Sequence, residues 1–411
     1  MSSIPHAPAL TPAAPAAAGW ARAAWVVLAV VLPLLMVVAN RSAPLSLAVV
    51  AFLAGIAAWR GGIRLSALLR PATAAPEAWL FAALGAWALA SCAWSAAPWL
   101  SARSLGEAVL PLLCATLAGA ALAGRTPPRL ALWLAIGLGL AVLLCLIELT
   151  FDLPLRRLTG GRHADYVINR PAVTLTLLVW PLVALLRAQG REIWGLPAVV
   201  LVGAVAAVSA SGTAVLAMLA GSLAYAVARW HPRLALRLGL AATLVALLAA
   251  PASGDLLGRL MPGRAHEALR HSHSRERVEI WQAFGTVVRL RPLAGIGFAA
   301  SPVVERDPVF AEVPPETRRL LPVGHPHNAA LQVWVELGAA GALLVAGLFV
   351  LLFRRLGQLP DLALAAPLAA LAAACAVALV SHGAWQGWWI AVLGATVILL
   401  RAAVAPPSSG A

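Results

Sequence analysis

The sequence predicts an all-α polytopic membrane protein with about 12 transmembrane helices. The prediction rests on three observations: 62% of the 411 residues are hydrophobic, only 11% are charged, and the mean hydropathy is +0.87. Soluble globular domains carry about 25% charged residues. Runs of about 20 apolar residues recur along the chain and are long enough to cross a bilayer as helices. The alternating pattern of an outer-membrane barrel is absent.

The composition excludes an ordinary soluble enzyme, a disordered chain and a nucleic-acid-binding domain. All 30 basic residues are arginine, and they outnumber the 16 acidic residues. Because the arginines lie between apolar runs, as residues that set membrane topology do, we expect no nucleic-acid partner. The four cysteines fall inside apolar segments without metal-ligand spacing, which favours free thiols.

Twelve apolar segments are predicted to span the membrane. They cover residues 22–39, 44–59, 78–94, 107–123, 130–150, 171–187, 194–210, 213–229, 234–251, 328–353, 361–381 and 385–403. Spans one to nine lie within 21–251 and spans ten to twelve within 328–404. Residues 1–20 are predicted to be a disordered tail, because they are rich in proline and alanine and lack a signal-peptide pattern. Residues 405–411 form a second predicted tail.

Arginine placement predicts the orientation of the chain. With a cytoplasmic N-terminus, the short outer connections hold only Arg41 and Arg103, in agreement with the positive-inside rule. Two outer stretches break this trend, because residues 151–170 hold four arginines and residues 252–327 hold ten. Basic charge on the outer face, against the usual bias, indicates a bound anion there.

The loop 252–327 separates the two groups of spans. It holds eight acidic residues and five of the nine histidines. A loop of this length without structure or function is unusual, so we expect short helices on the outer membrane face. One of them is predicted over 274–290, ending at Arg291-Pro292. The spacing of His266, His271 and His273 matches no closed zinc motif, and no metal site is predicted.

A polar cluster follows, beginning at His325 and His327. Asn328, Gln332 and Glu336 recur at every fourth position and form one polar stripe on an otherwise apolar helix. Polar groups in membrane helices face the bundle interior or a wet cavity. His327 fits a general base, because its ordinary pKa of about 6.5 suits proton transfer near neutral pH. An interfacial histidine above a structural hydrogen-bond ladder is the alternative interpretation.

Arginines near this cluster are candidates for binding an anion. Arg277 and Trp281 lie one turn apart on the predicted loop helix. A guanidinium can make two hydrogen bonds to a phosphate, and tryptophan can stack on a sugar or a lipid. Arg275 and Arg291 are further candidates, with ordinary surface ion pairs as the alternative. Arg170, at the outer end of the sixth span, is either a second phosphate clamp or a residue that snorkels to lipid headgroups.

Taken together and in this order, the motifs resemble the O-antigen ligase and O-antigen polymerase superfamily of bacterial inner membranes. The family is similar in having about a dozen spans and one large periplasmic loop late in the chain. The residues that carry the resemblance are Arg277-x-x-x-Trp281, then Arg291-Pro292-Leu293-x-Gly295-x-Gly297, then His327-Asn328-x-x-Leu331-Gln332-x-x-x-Glu336-Leu337-Gly338.

The resemblance implies a metal-independent glycosyltransferase without a cofactor, acting on a glycan linked to undecaprenyl diphosphate at the periplasmic face. The acceptor would be a lipid A-core sugar for a ligase and another repeat unit for a polymerase. By their match to the family motifs, His327 would deprotonate the acceptor hydroxyl and Arg277 would hold the diphosphate. Membrane lipids are the remaining expected partner. A transporter or flippase for lipid-linked glycan is the alternative from another class, although no internal repeat favours it.

One position departs from the family pattern. Many ligases carry a further essential arginine after a Ser-x-Ser segment between the seventh and eighth spans. Here the segment reads Ser209-Ala210-Ser211-Gly212, with glycine where the arginine is expected. We hypothesise that Arg170, on the same membrane face, supplies the missing charge.

Overall fold

The computed structural model describes residues 15–158, 160, 164–268, 274–381 and 383–404. Within these residues the chain is helical and contains no strand, as the composition predicted. The first helix begins at Pro15. The predicted N-terminal tail therefore extends too far, because residues 15–20 already belong to a helix. Residues 1–14 and 405–411, the remainder of the two predicted tails, lie outside the described residues.

The principal helices are numbered in chain order. They are α1 (residues 15–38), α2 (Ala43–Arg60), α3 (Pro76–Ser91), α4 (Pro98–Ala121), α5 (Leu130–Thr150), α6 (Asn169–Ala188), α7 (Gly195–Val208), α8 (Gly212–Trp230), α9 (Pro232–Leu248), α10 (Ser253–Leu260), α11 (Ser274–Leu290), α12 (Ala329–Leu356), α13 (Ala365–Val380) and α14 (Gly387–Val404). Shorter helices cover Leu65–Thr73, Pro154–Leu158, Gly263–Ala268, Val309–Glu312 and Pro315–Arg318, and short 3₁₀ turns join several elements.

Nine helical segments among the described residues are long and apolar enough to cross a membrane. They comprise α1 to α6, α8, α12 and α14. A tenth candidate is the pair α9 and α10, which is bent by 58° at a short break. The helices over Glu192–Val208 and Ala365–Val380 are apolar but shorter. All twelve predicted segments are therefore helical, although two fall below the crossing length and one, α9, is followed by a sharp bend.

Close helix packing holds the bundle together. Helix α6 is its centre, since 78% of its span is buried, and it packs against α5, α7, α13 and α14. Lipid supplies no hydrophobic force between helices, so small residues that allow close approach matter. Gly137 of α5 is one of these, because a Cβ there would overlap the backbone of α1 at Ala29.

The helix ends define two faces. The site face carries the connections 39–42, 92–97, 151–168, 209–211 and 252–328. The opposite face carries 61–75, 122–129, 189–194, 231 and 357–364. Residues 252–327 pack on the site face and share an apolar core with the first turns of α12. In that core Phe284 and Val287 of α11 are buried with Leu321, Leu331 and Val335. The predicted loop helix is confirmed at Ser274–Leu290.

Candidate functional site

Helix α12 is interrupted at Gly338, where φ is 64° and ψ is −163°. Glycine suits this left-handed conformation because it has no Cβ. A broken helix in a membrane frees carbonyl and N–H groups that need new partners. The N–H groups of Ile296 and Gly297 donate to the carbonyls of Val335 and Glu336, at 2.9 and 3.0 Å.

Residues 292–297 also supply an acceptor for a backbone N–H group that follows the break. The N–H of Ala339 donates to the carbonyl of Pro292 at 2.8 Å. From helix α3, the indole N–H of Trp87 donates to the carbonyl of Leu337 at 3.0 Å. The segment 292–297 is thus inserted into the break of α12, and the freed backbone groups are paired.

The glycines of this segment are required by its close backbone contacts. Gly295 has a φ of 67°, and a Cβ there would lie 2.6 Å from the carbonyl oxygen of Glu336. Gly297 has a φ of 103°, and its Cβ would lie 2.8 Å from Cα of Ser95. The Gly-x-Gly spacing therefore reflects the insertion of this segment between α12 and the connection after α3.

Glu336 is fully buried and accepts four hydrogen bonds. The backbone N–H groups of Ala299 and Ser301 donate at 2.9 and 3.4 Å. The indole of Trp385 donates at 2.5 Å and the amide of Gln332 at 3.0 Å. The carboxylate thus ties the loop and the connection before α14 to α12.

The other two side chains of the predicted polar stripe, Gln332 and Asn328, also form hydrogen bonds within the protein. The side-chain oxygen of Gln332 accepts from the N–H of Ala384 at 2.8 Å. Asn328 caps α12, with its side-chain oxygen accepting from the N–H of Leu331 at 3.0 Å. This arrangement favours a scaffold role. Contact of Asn328, Gln332 and Glu336 with substrate stays a prediction.

His327 lies immediately before this cap, with a φ of 51°. Its Nδ1 is 2.9 Å from the carbonyl oxygen of Ser381. Because a carbonyl only accepts, we assign the ring proton to Nδ1, which leaves Nε2 with a free lone pair. The backbone N–H of His327 donates to Nδ1 of His325 at 3.2 Å, and the two ring centroids are 4.1 Å apart. The ring is thus held with Nε2 as its acceptor.

Burial keeps both imidazoles neutral. Desolvation lowers the pKa of His327, the hydrogen bond to Ser381 partly offsets this, and the charge of Arg277 lowers the pKa further. The pKa of His325 falls to about 4, through desolvation and through the repulsion that a protonated His327 would exert. A histidine that is neutral at neutral pH is ready to accept a proton.

Arg277 on α11 is half-buried, and desolvation lowers the pKa of its guanidinium. In the part of the chain that the structure describes, it has no acidic partner and no hydrogen bond. One turn later, Trp281 is only 8% exposed, and its indole donates to the carbonyl of Pro326 at 2.8 Å. Trp281 therefore attaches α11 to the histidine segment. Stacking of Trp281 on a sugar stays a prediction that its burial disfavours.

The other two arginines predicted near this helix lie differently. Arg291 donates to the carboxylate of Glu312 at 2.7 Å, as in the surface ion-pair alternative. Arg275 is exposed in the first turn of α11. Binding of substrate by either residue stays a prediction.

Arg170 begins helix α6 on the site face. Its guanidinium lies 5.4 Å from the ring centroid of Trp388, and it donates to the side-chain oxygen of Asn40 at 3.4 Å. The charge of Arg41 also acts on it. No ion pair among the described residues involves either arginine. Arg41 was not among the predicted site residues, because a single arginine in a short connection carries no local signal.

The connection between α13 and α14 lies between the region of His327 and the region of Arg170. Ser381 of this connection contacts His327, and Trp388, in the first turn of α14, contacts Arg170. These contacts were not predicted, because they join residues that are far apart in the chain. His382 lies outside the described residues.

No metal site is evident in the described part of the chain. No three His, Cys, Asp or Glu side chains there gather as possible metal ligands. His271 and His273 lie outside that part. The four cysteines are free thiols, as predicted.

Comparison with known proteins supports a ligase family. Residues 197–346 match the family model described as O-antigen ligase. Similar curated proteins include candidate polysaccharide ligases of Rickettsia prowazekii (strain Madrid E), 24% identical over 279 residues, and of Rickettsia bellii (strain RML369-C), 25% identical over 283 residues. The alignments cover 67% and 68% of this chain and the same shares of the relatives. Residues 197–346, which contain Arg277 and His327, are therefore similar to the O-antigen ligase family.

Proposed function

We propose that this protein transfers a glycan from undecaprenyl diphosphate to an acceptor hydroxyl at the periplasmic face of the bacterial inner membrane. A lipid A-core sugar is the proposed acceptor. One observation carries the proposal. His327 is neutral and oriented by Ser381, and the charge of the unpaired, half-buried Arg277 lowers its pKa. The match to the O-antigen ligase family supports the reaction class.

His327 is the proposed general base. The acceptor oxygen bonds to the anomeric carbon of the glycan while its proton moves to Nε2. The bond between that carbon and the diphosphate oxygen breaks, and its electron pair leaves with undecaprenyl diphosphate. The carbonyl of Ser381, which accepts from Nδ1–H, stabilises the imidazolium that forms. A positioned base contributes about 10²–10⁴-fold to such reactions.

Arg277 is the proposed ligand of the leaving group. Negative charge grows on the diphosphate as the glycosidic bond breaks, and a guanidinium can make two hydrogen bonds to phosphate oxygens. Arg277 is half-buried, so solvent screens its charge less than it would screen a surface arginine. In this proposal arginines, and no metal ion, neutralise the diphosphate.

Arg170 and Arg41 are proposed to add charge at the same face. Helix α8 begins at Gly212, after the cap formed by Ser211, and thus contributes no cation there. Arg170 contacts Trp388 of α14, and the connection before α14 contacts His327 through Ser381. These contacts support the hypothesis that Arg170 replaces the charge missing at Gly212.

The periplasmic location of this face is also part of the proposal. The connections 61–75, 122–129 and 189–194 of the opposite face hold five arginines, whereas the connections 39–42, 92–97 and 209–211 of the site face hold only Arg41. The positive-inside rule then places the opposite face in the cytoplasm.

A complementation experiment tests the proposal. A deletion strain would carry wild type, His327→Ala, Arg277→Ala or the control Arg289→Ala, with membrane levels checked by immunoblot. Surface glycolipid and carrier-linked glycan would be resolved by gel. We expect the first two variants to lose surface glycan and to accumulate long carrier-linked chains, while the control remains active.

Other outcomes would redirect or refute the proposal. Single repeats attached to the lipid core would indicate a polymerase. Wild-type surface glycan in both His327→Ala and Arg277→Ala would refute the site.

A further inference from the structure

A groove opens on the opposite face between α5, α6 and α7, far from the candidate site. Its volume is about 520 Å³, within the range of about 300–1,000 Å³ that ligand pockets occupy. Leu138 and Val142 of α5 and Leu182 of α6 are buried at its floor. Arg129 and Arg191 lie at its mouth.

The depth of the groove matches one leaflet of a membrane. Its lining follows α5 from Arg129 to Val142, a distance of about 20 Å at a rise of about 1.5 Å per residue. A bilayer including its headgroup regions is about 40–45 Å thick, so one leaflet with its headgroups contributes about 20–22 Å. An acyl chain lying along α5 would therefore fill the groove.

The mouth retains uncompensated positive charge. Arg129 and Arg191 are exposed and have no acidic partner among the described residues. The adjacent acid, Glu192, already lies 3.5 Å from Arg187 and 3.5 Å from Arg229. The N-terminus of α5, a helix of 21 residues, also points toward the mouth and favours an anion there.

Trp194 marks the level of the membrane surface at this mouth. It lines the groove and is 66% exposed, as is typical of tryptophans at the depth of lipid headgroups. An apolar channel below this level and two cations above it match the two parts of a charged lipid.

We propose that this groove binds an anionic phospholipid, with its headgroup phosphate at Arg129 and Arg191 and an acyl chain along α5. This site is independent of the proposed transferase reaction, because it lies on the other face and shares no residue with it. The lipid contacts α6, the central helix of the bundle, through Leu182.

Native mass spectrometry of the delipidated full-length protein tests the headgroup. The protein would be mixed with equal amounts of palmitoyl-oleoyl phosphatidylglycerol and palmitoyl-oleoyl phosphatidylcholine. We expect preferential retention of phosphatidylglycerol, and an affinity about 30-fold lower in the Arg129→Gln/Arg191→Gln variant, as two arginines near an anionic lipid would provide. The matched variant Arg60→Gln/Arg64→Gln, on the same face outside the groove, keeps the wild-type affinity.

A second variant tests the acyl-chain channel. Gly139 lines the groove, and a Cβ there meets nothing within 4 Å, so Gly139→Leu fills the channel without disturbing the helices. Gly85 of α3 has equally open surroundings and serves as the control. We expect Gly139→Leu to lower phosphatidylglycerol retention several-fold and Gly85→Leu to leave it unchanged.

Three results would overturn the proposal. They are equal retention of the two lipids, retention unaffected by both groove variants, and displacement of phosphatidylglycerol by excess inorganic phosphate, which would assign the arginines to a free anion.

Discussion

The two ends of helix α11 both present arginines to the site face, but only one end retains an unpaired charge. Arg289 at the C-terminal end donates to Asp255 at 2.9 Å and to Thr286 at 2.7 Å. Arg277 at the N-terminal end is half-buried and has no acidic partner among the described residues. A buried charge without a partner is unfavourable for folding. A half-buried arginine without an acidic partner therefore identifies the candidate site better than the presence of arginines alone does.

The largest expected effect is the loss of kcat/KM when Arg277 is replaced, compared with the separate replacement of Arg289. Arg277→Gln should lower kcat/KM by about 10²–10³-fold, because it removes a donor to the developing charge. Arg289→Gln should stay within about twofold, since exposed ion pairs contribute little. Turnover would be measured in proteoliposomes with a polyprenyl diphosphate-linked glycan. Equal losses of kcat/KM in Arg277→Gln and Arg289→Gln would contradict the assignment of Arg277, and not Arg289, to the site.

Gly338→Ala tests the helix break into which residues 292–297 insert, next to Glu336. The added Cβ would overlap the backbone at Leu293 and would occupy a φ of 64°. We expect the free energy of unfolding to fall by about 2–3 kcal/mol. Gly85→Ala, in open surroundings in α3, should be neutral or stabilising. Thermal unfolding in detergent compares the two, and equal stability would mean that the break tolerates a side chain.

Arg170→Ala should have a smaller effect, about tenfold in turnover, because Arg41 retains charge nearby. The control is Arg103→Ala, also on the site face, where the arginine is exposed and paired with Glu107 at 2.9 Å. If Arg170→Ala retained full activity while Arg277→Gln did not, Arg170 would not replace the charge missing at Gly212.

The smallest expected effect concerns pH. Both histidines have a pKa below the ordinary value of 6.5 in the folded protein, and that of His325 is about 4. The unfolded state therefore binds more protons in this window, and the free energy of unfolding falls as the pH drops from 6.5 toward 4. Turnover should fall on the acid side only below pH 6.5, as His327 gains a proton.

Melting curves and kcat/KM between pH 4 and 8 check these expectations. His325→Gln should flatten the lower part of the stability curve. An acid limb of kcat/KM above pH 6.5 would contradict the assignment of His327 as the base.

The sequence by itself determined the helical membrane architecture and the helix at Ser274–Leu290. Apolar run length and proline position are local properties, and they decide where helices form. The motif around Arg277 and His327 could also be found, because its spacing is a property of the chain. The same local reasoning placed Asn328, Gln332 and Glu336 on one stripe.

Only the tertiary structure decided what these groups contact. Glu336 accepts from Ala299 and Trp385, which are 37 and 49 residues away in the chain. Segment 292–297 enters the break of α12, and Ser381 orients His327. Such pairings depend on which distant segments meet, and no local pattern encodes them. The unpaired state of Arg277 follows from the same cause, because a charge has a partner only where the fold brings one.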